Sequence, residues 1–358
     1  MTKNNRKKAV AQAISTAVAL GWVIMQVESA QAATFVVNNL NDSGVRSLRD
    51  TINIANNNDV VEFLLGSHPS TISLTSGTLA IAKNLTINGP GANLLTISSN
   101  NHFPVFDINA ADVTFSGLAI AGNIKAYDSS NLTFINSTIN GDNLKIDNPT
   151  GKLTLINSTI KGNNSVNINA NELTVTNGSE SEVRDLSNTG NAGDLTISTG
   201  SLTISDSANV NSGQISNGSA GNLFVNSNLL ILRSGAILST SAGGSNNSGV
   251  GGNININSGF IIALPNEPSD IAGDSNNSGG GGNISIAASG IFGTRVPEPS
   301  DIAGDSNNSG AGGTLTLTAS SISLTRVPEP SAIAGSILAC SLALLAKRNL
   351  AAFRKTKA

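Results

Sequence analysis

A single cysteine, a single tryptophan, a single tyrosine and two histidines are found in 358 residues, and only 12% of the chain is charged. Each scarcity excludes something. Cys340 lies near the C-terminal end, so the body has neither a disulfide nor a thiolate metal site and must be held by backbone hydrogen bonds and apolar side chains. Aromatic residues at 3% rule out a large aromatic core. The formal net charge is −3, and most basic residues sit at the two ends; the acidic body that is left excludes nucleic acid as a partner. No cofactor is expected. The glycine run Gly279–Gly282 lacks the Lys-Ser/Thr ending of a phosphate loop, and no Asp-bearing calcium nonapeptide is present. His68 beside Pro69 and His102 beside Phe103-Pro104 lie in turn-like contexts with no acidic partner, which marks loop histidines rather than general bases.

What the chain does have is glycine, asparagine, serine and threonine around short β-branched runs. One phrase recurs as Leu132-Thr-Phe-Ile-Asn136, Leu153-Thr-Leu-Ile-Asn157, Leu173-Thr-Val-Thr-Asn177 and, more loosely, Leu195-Thr-Ile-Ser198, at spacings of 21, 20 and 22 residues. Apolar and polar positions alternate within each phrase and a Gly/Asn/Ser cluster follows, so each is a short strand ending in a turn. A fixed period near 21 then predicts the coils of a parallel β-solenoid, with Leu132, Leu153, Leu173 and Leu195 stacked inward. Asn136, Asn157 and Asn177 share one offset and are expected to form an amide-to-amide ladder at a coil corner. About a dozen coils at roughly 4.8 Å each would make a rod on the order of 60 Å long.

The two ends read differently. Residues 1–32 have a basic start, an apolar middle and the small-residue exit Ala30-Gln31-Ala32, the plan of a cleaved secretory signal. Thr34–Val37 is a strand candidate. Ser47 and Asp50 fit a capping box, and Leu48, Ile52 and Ala55 share one helical face before Asn56–Asp59 stops the helix. Such a helix would cover the first coil's open core and strand edge.

Asn41-Asp-Ser-Gly44, Ser47-Leu-Arg49, Thr71-Ile-Ser-Leu-Thr-Ser-Gly77, Leu85-Thr-Ile-Asn-Gly-Pro-Gly-Ala92 and Leu95-Thr-Ile-Ser98 resemble bacterial secreted right-handed parallel β-helix proteins. That family is defined by fold and secretion, and the resemblance implies no catalytic residue. Farther on, Ala192-Gly-Asp-Leu195, Ala220-Gly-Asn-Leu223, Gly251-Gly-Asn-Ile254, Gly281-Gly-Asn-Ile284 and Gly312-Gly-Thr-Leu315 recur at 28, 31, 30 and 31 residues. These Gly-Asn units resemble the haemagglutinin-like exoproteins of filamentous cyanobacteria. Finally, Val327-Pro328-Glu329-Pro330, the uncharged run Ser331–Ala346, the basic stop Lys347-Arg348 and a basic tail resemble a PEP-CTERM sorting signal. That resemblance implies an exosortase-type sorting enzyme as partner, a transient passage through the inner membrane, and bacteria that export polysaccharide.

The expectation is therefore an all-β, right-handed parallel β-helix with a short N-terminal capping helix and a C-terminal apolar helix. Its divisions are a signal peptide (1–32), a capped β-helix (33–189), Gly/Asn-rich solenoid repeats (190–326) and a sorting segment (327–358). Asp107, Asp112, Asp128, Asp142 and Asp147 are spaced irregularly, which predicts neither a carboxylate ladder nor an adjacent acidic pair. Arg184-Asp185 and Lys145/Asp147 read as solvated surface charges. With no catalytic, cofactor or metal residue singled out, the expected function is non-enzymatic. It is that of an exported structural or adhesive solenoid of the cell envelope or extracellular matrix, with extracellular polysaccharide as a partner. A secreted carbohydrate-active enzyme and a two-partner-secreted haemagglutinin-like adhesin are the alternatives.

Overall fold

The structure is a computed structural model that describes residues 31–326 apart from 184–191, 214–218, 241–248, 264–269, 273–279, 296–301 and 304–311. The expectations for Ala30, Arg184-Asp185, Val327–Pro330, Lys347, Arg348 and the C-terminal apolar helix lie outside these residues, and Ala32 is in exposed, non-regular chain. Among the described residues no helix is long and apolar enough to cross a membrane.

Alternation of apolar and polar side chains produces what it should: among the described residues 23 strands, all paired in parallel with strands of neighbouring coils. They form a parallel β-helix with three strand columns around one apolar core. The first column runs through Thr34, Val60, Thr86, Thr114, Thr133, Thr154, Thr174, Thr203, Ile231, Ile262, Phe292 and Ser323, each in register with the next. A second column starts at Ser70–Ser73 and ends at Ile302–Ala303, and the third starts at Leu79–Ile81 and ends in Leu315–Arg326. Thr138–Ile156 and Thr159–Thr176 each run as one strand through all three columns, and from Asp194 onward the strands of the third and first columns are merged with a corner between them.

The inward column reads Val113, Leu132, Leu153, Leu173, Leu202, Leu230, Ile261, and each of these side chains is buried. Leu195 is therefore not the fourth member expected of it. It stacks on Val166 in the third column, and Leu202 takes its place. The reason is local: Leu195-Thr-Ile-Ser198 and Leu202-Thr-Ile-Ser205 are the same tetrapeptide twice within one coil, and the coil lengthens here from 20 residues (Leu153 to Leu173) to 29 (Leu173 to Leu202). In the narrower half, Phe106, Phe115 and Phe134 fill the core as a stack, with centroids 4.8 and 5.0 Å apart.

The Gly-Asn repeat has a steric and a polar cause. Gly193, Gly221, Gly252, Gly282 and Gly313 sit one above another, and a Cβ on any of the last four would lie 1.8–2.0 Å from the carbonyl oxygen of the glycine one coil below. The next residue forms a ladder. Asn222 Nδ2 donates to Asp194 Oδ1 (3.0 Å) and Asn253 Nδ2 to Asn222 Oδ1 (3.0 Å), while Asn253 Oδ1 accepts the Asn283 amide N–H (3.1 Å) and Asn283 Oδ1 that of Thr314 (3.0 Å). Glycine lets the backbones close up, and asparagine satisfies the amide that follows.

At the N-terminal end the helix Leu48–Ile54 caps the first coil, with Ser47 accepting from the Asp50 amide and Leu48, Ile52 and Ala55 buried. The capping is not reciprocal as in a box: Asp50 Oδ2 accepts from the Arg46 amide, one residue earlier than Ser47 (2.9 Å). Asp42 and Arg49, both from the quoted N-terminal motif, clip this cap to the coil beside it. Arg49 donates to Asp42 Oδ1 (2.7 Å) and to the carbonyls of Gly77 (2.6 Å) and Thr78 (2.8 Å), while Asp42 Oδ2 accepts the Thr75 and Ser76 amides (3.0 and 2.7 Å). Burial of the Asp42 carboxyl opposes ionisation, but the bonds from Ser76, Arg49 and Thr75 outweigh it and hold the pKa well below the usual carboxylate range. A group depressed on folding stabilises the fold above its unfolded pKa, near about 3.9, and loses that contribution as pH falls toward the folded value. Asp42→Asn is expected to cost about 2 kcal/mol at neutral pH. The difference in thermal midpoint between the two proteins should shrink as pH falls below about 4; a difference independent of pH would disprove the clip.

Candidate functional site

Four surface features compete as sites, and three of them are explained by the fold. Asn136, Asn157 and Asn177 all adopt left-handed backbone, with φ of 50°, 46° and 57°. Asn157 Nδ2 donates to Asn136 Oδ1 at 2.6 Å. The link is not continued to Asn177 among the described residues, where the corner passes instead to Asp206, whose carboxylate accepts from Thr176 Oγ1 (2.6 Å). The longer ladder is of serines beside these corners: Ser137 N–H donates to Ser158 Oγ and Ser158 N–H to Ser179 Oγ, both at 3.1 Å, and all three are buried. This corner turns the chain, and its left-handed asparagines and buried serines are accounted for by that turn.

The aspartates are better ordered than their spacing suggested. Asp107, Lys125, Asp147 and Asn169 stand in one register, so the irregular sequence intervals are simply unequal coil lengths. Lys125 stands between the two carboxylates, so this register is neither a carboxylate ladder nor an adjacent acidic pair, in line with the expectation. Asp147 is held below the usual carboxylate range: its partial burial opposes this, but bonds from Lys145 and Asn169 and the charges of Lys145 and Lys125 prevail. Lys145 and Asp147 form an exposed ion pair at 3.0 Å. Such a pair is a surface feature.

An open groove of about 440 Å³ crosses the second column, lined by Asn100, Asn101, Asn140, Asp142, Lys161 and Asn163 among others. Asp142 accepts from Asn163 Nδ2 (2.7 Å), and Lys161 Nζ reaches 3.9 Å from the buried Glu182 carboxylate. One acid and one base on consecutive coils meet the minimum for catalysis, but Asp142 has no second carboxylate beside it in the lining. His68 and His102 are exposed and contribute nothing to it. Among the described residues no group of three or more His, Cys, Asp or Glu side chains could hold a metal ion.

The fourth feature is the outer face of the first column. Thr86, Thr114, Thr133, Thr154, Thr174 and Thr203 point outward from six successive coils in one straight row, because their neighbours Leu85, Val113, Leu132, Leu153, Leu173 and Leu202 point in. Adjacent hydroxyls are thus about 4.8 Å apart along the axis. None of the six hydroxyls is hydrogen-bonded to another protein group among the described residues. Over the next three coils the same face becomes apolar: Leu229 and Ile231, then Phe260 and Ile262, then Gly290 and Phe292. Phe260 and Phe292 are 48% and 41% exposed, with ring centroids 6.1 Å apart. They meet diagonally because the register partner of Phe260 is Gly290, whose missing Cβ leaves room between the rings. A row of free hydroxyls running into an exposed aromatic platform is amphipathic in a way that a merely solvated face is not.

Compared with family models, curated proteins and solved structures, the chain matches none of them.

Proposed function

We propose that this protein is an exported, non-enzymatic solenoid of the cell surface or extracellular matrix that holds a neutral extracellular polysaccharide along the outer face of its first column. The observation that carries the reading is the threonine row ending in the Phe260/Phe292 platform. A sugar chain is built of the matching parts. Its hydroxyls exchange hydrogen bonds with a periodic row of protein hydroxyls, and the apolar C–H faces of its rings cover exposed aromatic rings. The parallel β-helix supplies a rigid, repetitive support for such contacts. The sorting segment at residues 327–358 supports export and envelope retention through an exosortase-type enzyme and a transient stay in the inner membrane.

The test is retention on the host's own neutral polysaccharide, measured by affinity electrophoresis. Phe260→Ala with Phe292→Ala removes two ring contacts of about 1 kcal/mol each and should weaken binding at least about tenfold. Thr133→Val with Thr154→Val keeps shape, removes two hydroxyls and should weaken it less. Equal retention of all forms, or none of the unaltered protein, would reject this face. The groove at Asp142 and Lys161 favours the enzymatic alternative, which would show as depolymerisation lost in Asp142→Asn.

A further inference from the structure

The fold accounts for the shape of the groove on the second column but makes no use of the groups that line it. Seven residues, Ser99–Val105, separate the strands Leu95–Ser98 and Phe106–Asn109, whereas one coil on only Gly122 and Asn123 lie between Ala119–Ala121 and Ile124–Tyr127. A wide turn, with Asn100 and Asn101 both in left-handed backbone (φ 51° and 62°), therefore overhangs a tight one, and the small residues Ala121 and Gly141 keep the floor low. Ser98, Ala121, Asn140 and Lys161 follow in one register over four coils, so the groove runs along the axis for about 14 Å. Those coils also carry Thr86, Thr114, Thr133 and Thr154 on the first column. The groove and the threonine row thus stand at one height on two different sides of the solenoid.

The lining has hydrogen-bonding capacity to spare. Among the described residues the side-chain amides of Asn101 and Asn140 bond to no protein group, Asp142 uses one oxygen only, for Asn163 Nδ2 (2.7 Å), and Lys161 has only its 3.9 Å ion pair with Glu182. Each amide offers two donors and an acceptor oxygen, and the carboxylate offers further lone pairs. Asp142 and Lys161 are the only charges of the lining, so it carries no net charge; an anion would meet Asp142 and a cation Lys161. What fits is a neutral molecule covered in groups that both donate and accept, which is a run of sugar residues. Catalysis would need a second carboxylate; binding does not. We infer that the groove holds a second segment of neutral polysaccharide, so that one solenoid bridges two chains. The inference rests on the first-column reading for one of the two contacts and supplies the other. A rod with two such sides joins polymer chains into a network instead of merely coating one.

Short neutral oligosaccharides, cut by partial acid hydrolysis from the host's own polysaccharide, are the probe, titrated into the isotope-labelled full chain. The side-chain amide signal of Asn163, which bonds Asp142 in the groove, should shift to saturation. Asn101→Gly with Asn140→Ala removes two amides that no protein group uses and keeps the left-handed turn, so the unfolding midpoint should hold. The oligosaccharide concentration at half-shift should rise at least about tenfold. Phe260→Ala with Phe292→Ala should leave that shift unchanged. With intact polysaccharide, the unaltered chain should raise solution viscosity at low ratios of protein to polymer and lose the gain at high ratios, where each segment is held singly. The groove variant should give no such rise, although affinity electrophoresis still retains it. Absence of the Asn163 shift, or an equal half-shift in the groove variant, would overturn the groove as a site. Oligosaccharides shortened during the titration would overturn it in favour of catalysis, and a saturable shift without a rise in viscosity would overturn bridging. Failure of the first-column reading looks different: the phenylalanine variant is then retained as well as the unaltered protein while Asn163 still shifts.

Discussion

Gly252→Ala is expected to lower stability by about 3 kcal/mol or more, the range of a severe overpacking defect, although it adds a single methyl group. That methyl would lie 1.8 Å from the carbonyl oxygen of Gly221 and 2.8 Å from its carbonyl carbon. Both contacts are with backbone, so no side chain can turn away; two coils must separate, and with them the ladder bond between Asn222 and Asn253. The comparison that isolates the cause is Gly141→Ala, whose new Cβ would meet nothing closer than Leu144 Cδ1 at 3.6 Å. That change should be neutral or stabilising by about 0.5 kcal/mol through the unfolded chain's entropy. Urea denaturation checks both. Equal midpoints for the two variants would mean that the glycine column is an accident of composition.

The sorting reading makes a nearly all-or-none prediction. Replacing Pro328, Glu329 and Pro330 together by alanine should leave residues 331–358 attached, whereas protein from the native host should lack them. Intact mass and cell fractionation decide the matter: the native form should leave the inner membrane without the segment and the triple variant should stay there with it. If both forms keep Ala358 and fractionate alike, the motif is a repeat remnant like Val296-Pro-Glu-Pro299, which has no apolar run behind it.

The fold class was legible in the sequence because strand alternation and coil periodicity are local signals. The capping helix was legible for the same reason, through Ser47 and the face Leu48–Ile52–Ala55. Register was not. Leu195 and Leu202 open identical tetrapeptides, and which column each joins depends on where the chain turns between them, which neither tetrapeptide encodes. The threonine row was hidden similarly. Thr86, Thr114 and Thr133 are separated by 28 and 19 residues, so no fixed period aligns them, and only pairing of the buried Leu85, Val113 and Leu132 beside them does. Phe260 and Phe292 occupy different positions of their repeats and meet only across Gly290. The Asp42–Arg49 clip was visible as a phrase, but its acceptors and donors at Thr75–Thr78 are more than two dozen residues away.

The strict neighbour-to-neighbour pairing of the coils also bears on how the molecule comes into being. Among the described residues every strand finds its partner within 18 to 33 residues along the chain, so each new coil closes one loop of modest size and never waits for a distant segment. Synthesised from the N-terminus, the capped first coil can form early and template the second, and the rest can add in order as they emerge. Growth of this kind has no intrinsic length. Another 31-residue copy inserted between Leu230 and Ile261 would add one rung without disturbing those below.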